Sequence, residues 1–291
     1  MKKTNFKRII DSLGVKLPDL DKFNLLGDMT SLWVDEHGGF IPLNYERGPL
    51  LYALIAKYRP ETVLEFGTAK GYSTLSMAWA MEDFDIPGTI YTVDIIPTSK
   101  KQKVPINRGN KPELSFMSVD EIWDEIAPSS WIQKIKPLTG FSADIMRKTE
   151  LPKIDFAYID GAHFYEGVQH DFFAFLEKAN DRFGVLFDDY IEREQYGVKR
   201  FIDDDISKYF DVTLIDTDAQ RYFTRYTGSD YGMCWIDSDS IKKPIKEICN
   251  ENNVKIILDK YYRFEKRLAM RYKINQKIPF MSGIKFNIFK K

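Results

Sequence analysis

The sequence contains few cysteines and no long apolar run. Cys234 and Cys249 are its two cysteines among 291 residues, and their spacing matches neither a metal site nor a disulfide framework. No window approaches the roughly 18 apolar residues of a membrane-spanning helix, and the basic N-terminus lacks the apolar segment of a signal peptide. We therefore expect a cytoplasmic protein in a reducing compartment.

The chain also lacks internal repeats, low-complexity tracts and a large net charge. Its length allows one large α/β domain with additions, or two small domains. The formal charge is −1, but residues 240–291 hold 14 Lys and Arg against 4 Asp and Glu. This basic, aromatic-rich C-terminal extension either contacts an anionic surface or substrate, or packs on the acidic body or a second subunit. We expect no nucleic-acid partner.

Two short apolar segments end in carboxylates. Residues 158–160 end in Asp160, and residues 186–189 end in Asp188 and Asp189, with a helical pattern between the two segments. A strand, a helix and a strand of this length form a right-handed crossover, so both carboxylate ends open on the same edge of a sheet. Three converging carboxylates need a cation or a proton to balance their repulsion. This cluster is the main functional indication in the sequence.

An earlier strand is followed by a glycine-containing turn. Residues 62–66 have the pattern of a buried strand, and Gly67 and Gly71 in the next segment would let a ligand approach the backbone. A Gly-x-x-x-Gly turn also occurs without a ligand, and the full Gly-x-Gly-x-x-Gly pattern of dinucleotide binders is absent. Glu65, at the end of the strand, would repel a pyrophosphate but would suit a ligand that carries an ammonium group.

The next strands add candidates for a nucleoside site. The strand of residues 89–94 ends in Asp94, which could bind a pair of ribose hydroxyls or simply cap a loop. Phe141 offers an apolar face for a flat ring, and Ser142 offers a hydroxyl for the edge of that ring. Together with Glu65 and Gly67, these residues indicate one wall of a nucleoside site.

The order of the patterns predicts the domain organisation. Residues 46–239 form five βα units and a closing antiparallel hairpin, with a polar insertion at 97–131 that holds one helix and serves substrate contact or an oligomer surface, or is a mobile loop. Residues 1–45 form a helical cap or lid, or else a packing extension. The predicted fold class is α/β, a Rossmann-like seven-stranded, mostly parallel sheet with helices on both faces and an antiparallel last strand.

In this motif order the chain resembles the class I S-adenosylmethionine-dependent methyltransferases. Among them it is similar to the metal-dependent O-methyltransferases, both the catechol and caffeoyl-CoA type and the enzymes that methylate sugar hydroxyls of natural products. The resemblance covers about residues 46–237 and is strongest at residues 63–73, 93–94, 160–163 and 187–189.

The resemblance implies a role for each matching residue. Glu65 would lie near the amino group of the cofactor's methionine part and Ser73 near its carboxylate. The cofactor-binding residues that it implies are Glu65, Gly67, Thr68, Gly71, Ser73, Asp94, Phe141, Ser142 and Asp160. Asp160, Asp188 and Asp189 would bind Mg²⁺ or a similar divalent cation, because oxygen ligands suit a hard cation. The family often has an amide at the position of Asp189.

His163 is the candidate catalytic base. It follows Asp160 by three residues, where catechol-type enzymes carry a catalytic lysine and some sugar-modifying relatives a histidine, and its ordinary pKa suits proton removal near neutral pH. His170 is expected to be a surface or packing residue. The expected function is Mg²⁺-dependent O-methyl transfer to a small molecule, preferably a sugar or glycoside, and a homo-oligomer is possible. The alternatives are a metal-independent methyltransferase and an NAD-dependent oxidoreductase.

Overall fold

The structure is a computed structural model that describes residues 1–35, 37–216 and 232–277, with side chains as far as residue 271. Its strands are β1 (Lys2–Asn5), β2 (Leu32–Val34), β3 (Phe40–Pro42), β4 (Thr62–Phe66), β5 (Thr89–Asp94), β6 (Gln102–Arg108), β7 (Lys111–Met117), β8 (Ile135–Thr139), β9 (Ile154–Ile159), β10 (Ala179–Phe187), β11 (Thr213–Asp216) and β12 (Met233–Asp237). Its α-helices are α1 (Phe6–Leu13), α2 (Leu20–Thr30), α3 (Arg47–Tyr58), α4 (Tyr72–Asp83), α5 (Val119–Ile126), α6 (Ser129–Ile132), α7 (Ser142–Lys148), α8 (Tyr165–Leu176), α9 (Val198–Phe201), α10 (Ser207–Tyr209), α11 (Ile245–Glu251) and α12 (Val254–Lys277). A π-helical turn, Ile202–Ile206, joins α9 to α10.

The central sheet has the strand order β1-β11-β12-β10-β9-β4-β5-β8. Strand β12 is antiparallel to both of its neighbours, and all the other pairs in this sheet are parallel. The prediction of a mostly parallel, Rossmann-like α/β sheet with an antiparallel last strand is therefore confirmed.

The sheet contains one strand more than the seven that were predicted. Strand β1 pairs in parallel with β11 and forms an edge of the sheet, although residues 1–45 were assigned to a cap. Its sequence, Lys-Lys-Thr-Asn, is polar and mostly exposed, so it carries no hydrophobic alternation from which a strand could be inferred. The N-terminal segment thus begins in the main sheet, and only the residues after β1 pack over the helices α3 and α4.

Both faces of the sheet are covered by helices, as predicted. Consecutive residues of β4, Val63 and Leu64, belong to different hydrophobic clusters because side chains alternate between the two faces of a strand. The cluster around Val63 includes α3 and α4, and the cluster around Leu64 includes α8 and α9.

The insertion at 97–131 is folded rather than a mobile loop. Strands β6 and β7 form a two-stranded antiparallel hairpin. The predicted helix is present as α5, whose N-terminus has a capping box formed by Ser118 and Glu121.

The C-terminal extension packs on the domain. Helix α12 contacts α7 and α8, which agrees with the alternative of a packed appendage. Phe280 and Phe286, which contributed to the predicted basic, aromatic-rich surface, lie outside the described residues. Among the residues that the structure describes, none of the helices has the length and apolar character needed to span a bilayer.

Candidate functional site

The carboxyl ends of β4, β5, β8, β9 and β10 open on one edge of the sheet, because these strands are parallel. Gly67, Asp94, Asp160 and Asp188 each follow or end one of these strands. The fold therefore brings the glycine turn and the carboxylate segments to the same edge, where open α/β sheets bind ligands.

Gly67 allows the end of β9 to approach the turn after β4. Its φ angle is +95°, and a Cβ atom at this position would lie 2.2 Å from the backbone oxygen of Asp160. In return, the Asp160 amide donates to the carbonyl of Phe66 at 3.0 Å. Only glycine fits this position, so the close contact between the two segments depends on it.

A cavity of about 910 Å³ lies at this edge. Four of the predicted cofactor residues line it, namely Gly67, Asp94, Phe141 and Ser142. The cavity is mostly apolar with a few polar groups, which is the usual character of a small-molecule site. Its size and lining fit a nucleoside cofactor such as S-adenosylmethionine.

Asp94 and Ser142 already have hydrogen-bond partners within the protein. The Asp94 carboxylate accepts bonds from the amides of Ala69 at 3.0 Å and Ile96 at 2.9 Å. The Ser142 hydroxyl donates to Glu265 at 3.2 Å. The loop-capping role considered for Asp94 is thus present, and its contact with a ribose stays a prediction.

Glu65 lies beneath the glycine turn rather than on the wall of the cavity. It is fully buried and accepts hydrogen bonds from the hydroxyls of Thr74 at 2.5 Å and Thr92 at 2.6 Å. Burial raises the pKa of Glu65 to about 7, although hydrogen bonds from Ser73, Thr74 and Thr92 oppose the rise. Thr68, which is also buried, shares a 2.5 Å hydrogen bond with Thr92. Glu65 Oε2 and Thr68 thus have partners within the protein, whereas Glu65 Oε1 has no hydrogen-bond partner among the described residues, and the cofactor roles of Glu65, Thr68 and Ser73 stay predictions.

Gly71 is required by packing of the insertion. Its φ angle is +91°, and a Cβ atom there would lie 2.4 Å from Nε1 of Trp123 in α5. The Trp123 indole donates to the carbonyl of Lys70 at 2.9 Å. The sequence interpretation gave Gly71 to the cofactor, whereas the space above it is filled by a side chain of the protein.

Lys70 connects the same turn to two other segments. Its ammonium group donates to the carbonyls of Leu32 at 2.8 Å and Pro105 at 2.6 Å. Burial lowers the pKa of Lys70 to about 7. The N-terminal segment and the insertion are thus both anchored at the turn.

Asp160, His163 and Asp189 form a group that could hold a metal ion. One donor atom from each residue lies within 4.8 Å of the others. His163 Nε2 is 3.2 Å from Asp189 Oδ2 and 3.7 Å from Asp160 Oδ1. All three side chains are partly exposed, so the group faces the open edge of the sheet.

The pKa values of all three members of this group are raised. Burial and the neighbouring charge of Asp188 raise the pKa of Asp160 to about 6 and that of Asp189 to about 7. Burial alone would lower the pKa of His163, but the hydrogen bond to Asp160 and the charges of Asp189 and Asp160 raise it to about 9. Two carboxylates and an imidazole with these shifts make a donor set that suits a divalent cation.

Asp188 departs from the predicted ligand set. Arg47 donates to both of its carboxylate oxygens, from Nε at 2.7 and 3.0 Å and from Nη2 at 2.5 Å, and Tyr158 donates to it at 2.7 Å. Burial would raise the pKa of Asp188, but the charge and hydrogen bonds of Arg47 hold it below its ordinary value. Asp188 is therefore paired with Arg47, and the third member of the group at the open edge is His163; the role of Asp188 as a metal ligand stays a prediction.

The backbone separates the two adjacent carboxylates. Asp189 has a φ angle of +57°, in the left-handed region that aspartate adopts more readily than most residues. Its amide donates to the Asp188 carboxylate at 2.8 Å. One carboxylate thus stays in the interior with Arg47, while the other joins the group at the open edge.

Several contributing residues were not identified from the sequence. Arg47 could have been suspected, because it stands with Glu46 as a charged pair immediately before an apolar helical pattern. Tyr196 packs against His163 with ring centroids 4.9 Å apart and the ring planes tilted by 39°, and no motif marks it. His170 is buried and stacks on Tyr261, in agreement with the packing role expected for it.

The comparisons with known proteins agree with this geometry. Residues 64–190 match a family model described as a methyltransferase domain. The structure of cofactor-bound Rv0187 from MTB is 16% identical with a TM-score of 0.50, covering 79% of this chain and 94% of that one. An O-methyltransferase from Bacillus cereus in complex with SAH is 15% identical with a TM-score of 0.48, covering 81% of this chain and 96% of that one.

One curated relative is an uncharacterized protein, y4gI, of Sinorhizobium fredii. It is 22% identical over 198 residues, which is 67% of this chain, and the chain spans 20% of that protein's length. At 16% identity, the Rv0187 structure indicates a shared fold and nothing more, and the family model describes residues 64–190. Residues 64–190 match a methyltransferase domain, and the chain shares the fold of cofactor-bound Rv0187.

Proposed function

We propose that the protein transfers a methyl group from S-adenosylmethionine to a hydroxyl group of a small molecule, with the assistance of Mg²⁺ or a similar cation. The observation that carries the proposal is the group of Asp160, His163 and Asp189 beside the glycine turn of the cofactor cavity. Acids and a base at this position suit the activation of a hydroxyl group.

Asp160 and Asp189 would hold the cation. Both are partly exposed carboxylates whose pKa values are raised by burial and by the charge of Asp188, and a divalent cation would stabilise their ionised forms. When bound, a divalent cation would lower the pKa of the acceptor hydroxyl and orient its oxygen toward the methyl group. Arg47 pairs with Asp188, which leaves the carboxylates of Asp160 and Asp189 at the open edge.

His163 would act as the base at Nε2. This nitrogen would take the hydroxyl proton as the oxygen bonds to the methyl carbon, with S-adenosylhomocysteine as the other product. The Tyr196 ring packs against the imidazole at a tilt of 39°, and the amide of Gly197 donates to the His163 carbonyl at 2.7 Å. These contacts restrict the orientation of the ring.

A sugar or glycoside hydroxyl is the acceptor that we propose to screen first. This preference comes from the similarity of residues 160–163 to the sugar-modifying methyltransferases. A cytoplasmic location, a homo-oligomeric state and contact of residues 240–291 with an anionic surface stay predictions of the sequence.

A metal-independent methyltransferase is the second candidate. One observation favours it, because a protonated His163 between Asp160 and Asp189 can balance the charge of the group without a metal. The NAD-dependent oxidoreductase that was considered from the sequence is set aside, because the family model identifies a methyltransferase domain.

Titration calorimetry with S-adenosylhomocysteine tests both candidates. The titrations would be run with Mg²⁺ and with EDTA, followed by a screen of sugars and glycosides with labelled S-adenosylmethionine. We expect cofactor binding in both conditions, and methyl transfer that is lost in EDTA and in the Asp189→Asn variant. The matched control is Asp211→Asn. This carboxylate is 81% exposed and precedes β11, at the opposite edge of the sheet.

The outcomes separate the proposals. Methyl transfer that survives EDTA and Asp189→Asn would contradict the metal and favour the second candidate. Folded protein that binds no S-adenosylhomocysteine would contradict both. For His163→Ala, a lower kcat with unchanged Mg²⁺ affinity above pH 9, where His163 is already neutral, supports a base. A weaker Mg²⁺ affinity above pH 9 would make His163 a ligand instead.

A further inference from the structure

Helix α12 forms part of the wall of the cofactor cavity. Its cavity-lining residues follow helical spacing and share one face, and they are Ile257, Lys260, Tyr261, Phe264, Glu265 and Leu268. They lie far beyond residues 64–190, the range of the family model. A segment outside the matched methyltransferase domain therefore contributes to the cavity in which the predicted cofactor residues Gly67 and Asp94 lie.

Helix α12 is fixed to the rim of the cavity through α7. Glu265, which is 5% exposed, accepts hydrogen bonds from the amide of Ala143 at 2.8 Å and the hydroxyl of Ser142 at 3.2 Å. Arg147 of α7 forms an ion pair with Asp259 of α12 at 2.9 Å. The residue predicted to contact the edge of adenine, Ser142, is thus held by α12.

The cavity has an apolar part that the protein itself leaves uncovered. Ile95 is 58% exposed, Ile96 is 36% exposed and Phe264 is 40% exposed, and all three line the cavity. Gly161 and Ala162, which also line it, have no side chain large enough to fill the space. Exposed large apolar side chains on a concave surface indicate a binding site for a flat apolar group.

A buried acid without a full set of partners lies in the same cavity. Asp171 is 1% exposed, and one of its oxygens pairs with His170 at 2.9 Å. Its other oxygen, Oδ2, has no hydrogen-bond partner among the described residues. Buried carboxylate oxygens are normally hydrogen-bonded, so this one calls for a donor from a ligand.

We propose that α12 completes the adenine site, with Phe264 covering the ring, and that the buried acids Asp171 and Glu265 select a base that carries an exocyclic amine. The inference rests on the cofactor proposed above. An apolar ring with an amine donor at its edge satisfies both the uncovered apolar surface and the unpaired oxygen of Asp171. A hypoxanthine ring, which has an oxo group at that position, would place an acceptor against two carboxylates.

Calorimetric titration of the full chain with two ligands tests the inference. The ligands are S-adenosylhomocysteine and its hypoxanthine analogue, S-inosylhomocysteine. We expect the unmodified protein to bind the adenine compound about tenfold or more tightly than the analogue, since buried acceptors reject a ligand that lacks the donor. Phe264→Ala should weaken binding of both compounds about tenfold, because an aromatic contact with the base is lost.

The variants Asp171→Asn and Glu265→Gln test the amine contact, since an amide can donate to an oxo group. We expect one or both variants to bind S-adenosylhomocysteine and S-inosylhomocysteine with nearly equal affinity. Arg267→Ala, on the exposed side of the same helix, is the matched control and should bind both compounds like the unmodified protein. Thermal unfolding of every variant, with S-adenosylhomocysteine absent, identifies any that are not folded.

Each outcome decides the question. If the folded, unmodified protein binds no S-adenosylhomocysteine, the cofactor assignment falls, and this inference falls with it. If it binds but Phe264→Ala and Arg267→Ala bind equally well, α12 does not contact the base and the inference alone is wrong. A preference for adenine that persists in both acid variants would overturn the role of Asp171 and Glu265.

Discussion

Asp188 and Asp189 are adjacent, yet replacement of each by asparagine should have opposite consequences. The Asp188 side chain is 2% exposed and pairs with Arg47, whose side chain is 4% exposed. Asp188→Asn preserves the shape but leaves a buried guanidinium with Glu46 as its one remaining carboxylate partner among the described residues. Breaking a buried ion pair from one side costs about 3–5 kcal/mol, and Glu46 should keep the loss near the lower value, at about 3 kcal/mol.

This loss is large relative to the stability of a typical domain, which is about 5–15 kcal/mol. With a urea m-value of about 3 kcal/mol/M for a chain of this size, the unfolding midpoint should fall by about 1 M. Mg²⁺ affinity should change far less than in Asp189→Asn, because the oxygens of Asp188 face Arg47 and Tyr158 and its charge acts on the group only from a distance.

Asp189→Asn should show the reverse pattern. The Asp189 side chain is 22% exposed, and burial together with the charge of Asp188 raises its pKa to about 7, so removal of its charge relieves repulsion. The urea midpoint should stay the same or rise slightly. Mg²⁺ affinity should fall by at least about 10–100-fold, since even residues that only support metal ligands have effects of this size.

The assay combines urea unfolding, followed by circular dichroism, with calorimetric titration of Mg²⁺ into the complex with S-adenosylhomocysteine. Asp211→Asn again serves as the control for removal of one carboxylate. If Asp188→Asn abolished Mg²⁺ binding at an unchanged urea midpoint, the reasoning would be refuted. Asp188 would then be a ligand, as the sequence resemblance implied, and Arg47 would release it when the metal binds.

Three further predictions concern protons and the glycine turn. Mg²⁺ affinity should rise up to tenfold per pH unit between about pH 7 and pH 9, because His163, with a pKa near 9, must lose its proton when the cation binds. A Mg²⁺ affinity that does not change with pH in this range would contradict the prediction. Below pH 7 the slope should be steeper, because Asp189 with a pKa near 7 must then lose a proton too. Gly67→Ala should destabilise the fold or abolish binding of S-adenosylhomocysteine in calorimetry, since the alanine methyl group would lie 2.2 Å from the Asp160 carbonyl oxygen. Normal binding by this variant would contradict the geometry. The pKa of Lys70 is about 7 in the folded protein and near 10.5 in the unfolded chain, so the unfolded chain binds more protons between these pH values. In urea unfolding, the free energy of unfolding of the unmodified protein, relative to that of Lys70→Met, should therefore rise from pH 7 to pH 10. A difference that stays constant with pH would show that Lys70 is not desolvated.

The local parts of the fold could be predicted because their causes are local. Strands β4 and β5 have the bounds expected from the sequence, and α5 is the one helix expected in the insertion, since apolar periodicity and capping residues determine these elements. Strand β1 could not be predicted, because four polar residues at an edge owe their conformation to β11, more than 200 residues later in the chain.

The site divides in the same way. The sequence by itself determined that carboxylates and a glycine turn meet at one edge, because each follows a parallel strand. The tertiary structure decided which of these side chains are already hydrogen-bonded within the protein. Arg47, 141 residues away in the chain, pairs with Asp188, and Glu265, 123 residues away, accepts a hydrogen bond from Ser142. The physical reason is that the availability of a carboxylate depends on the donors that reach it in space, whereas strand ends and turns are set by neighbouring residues.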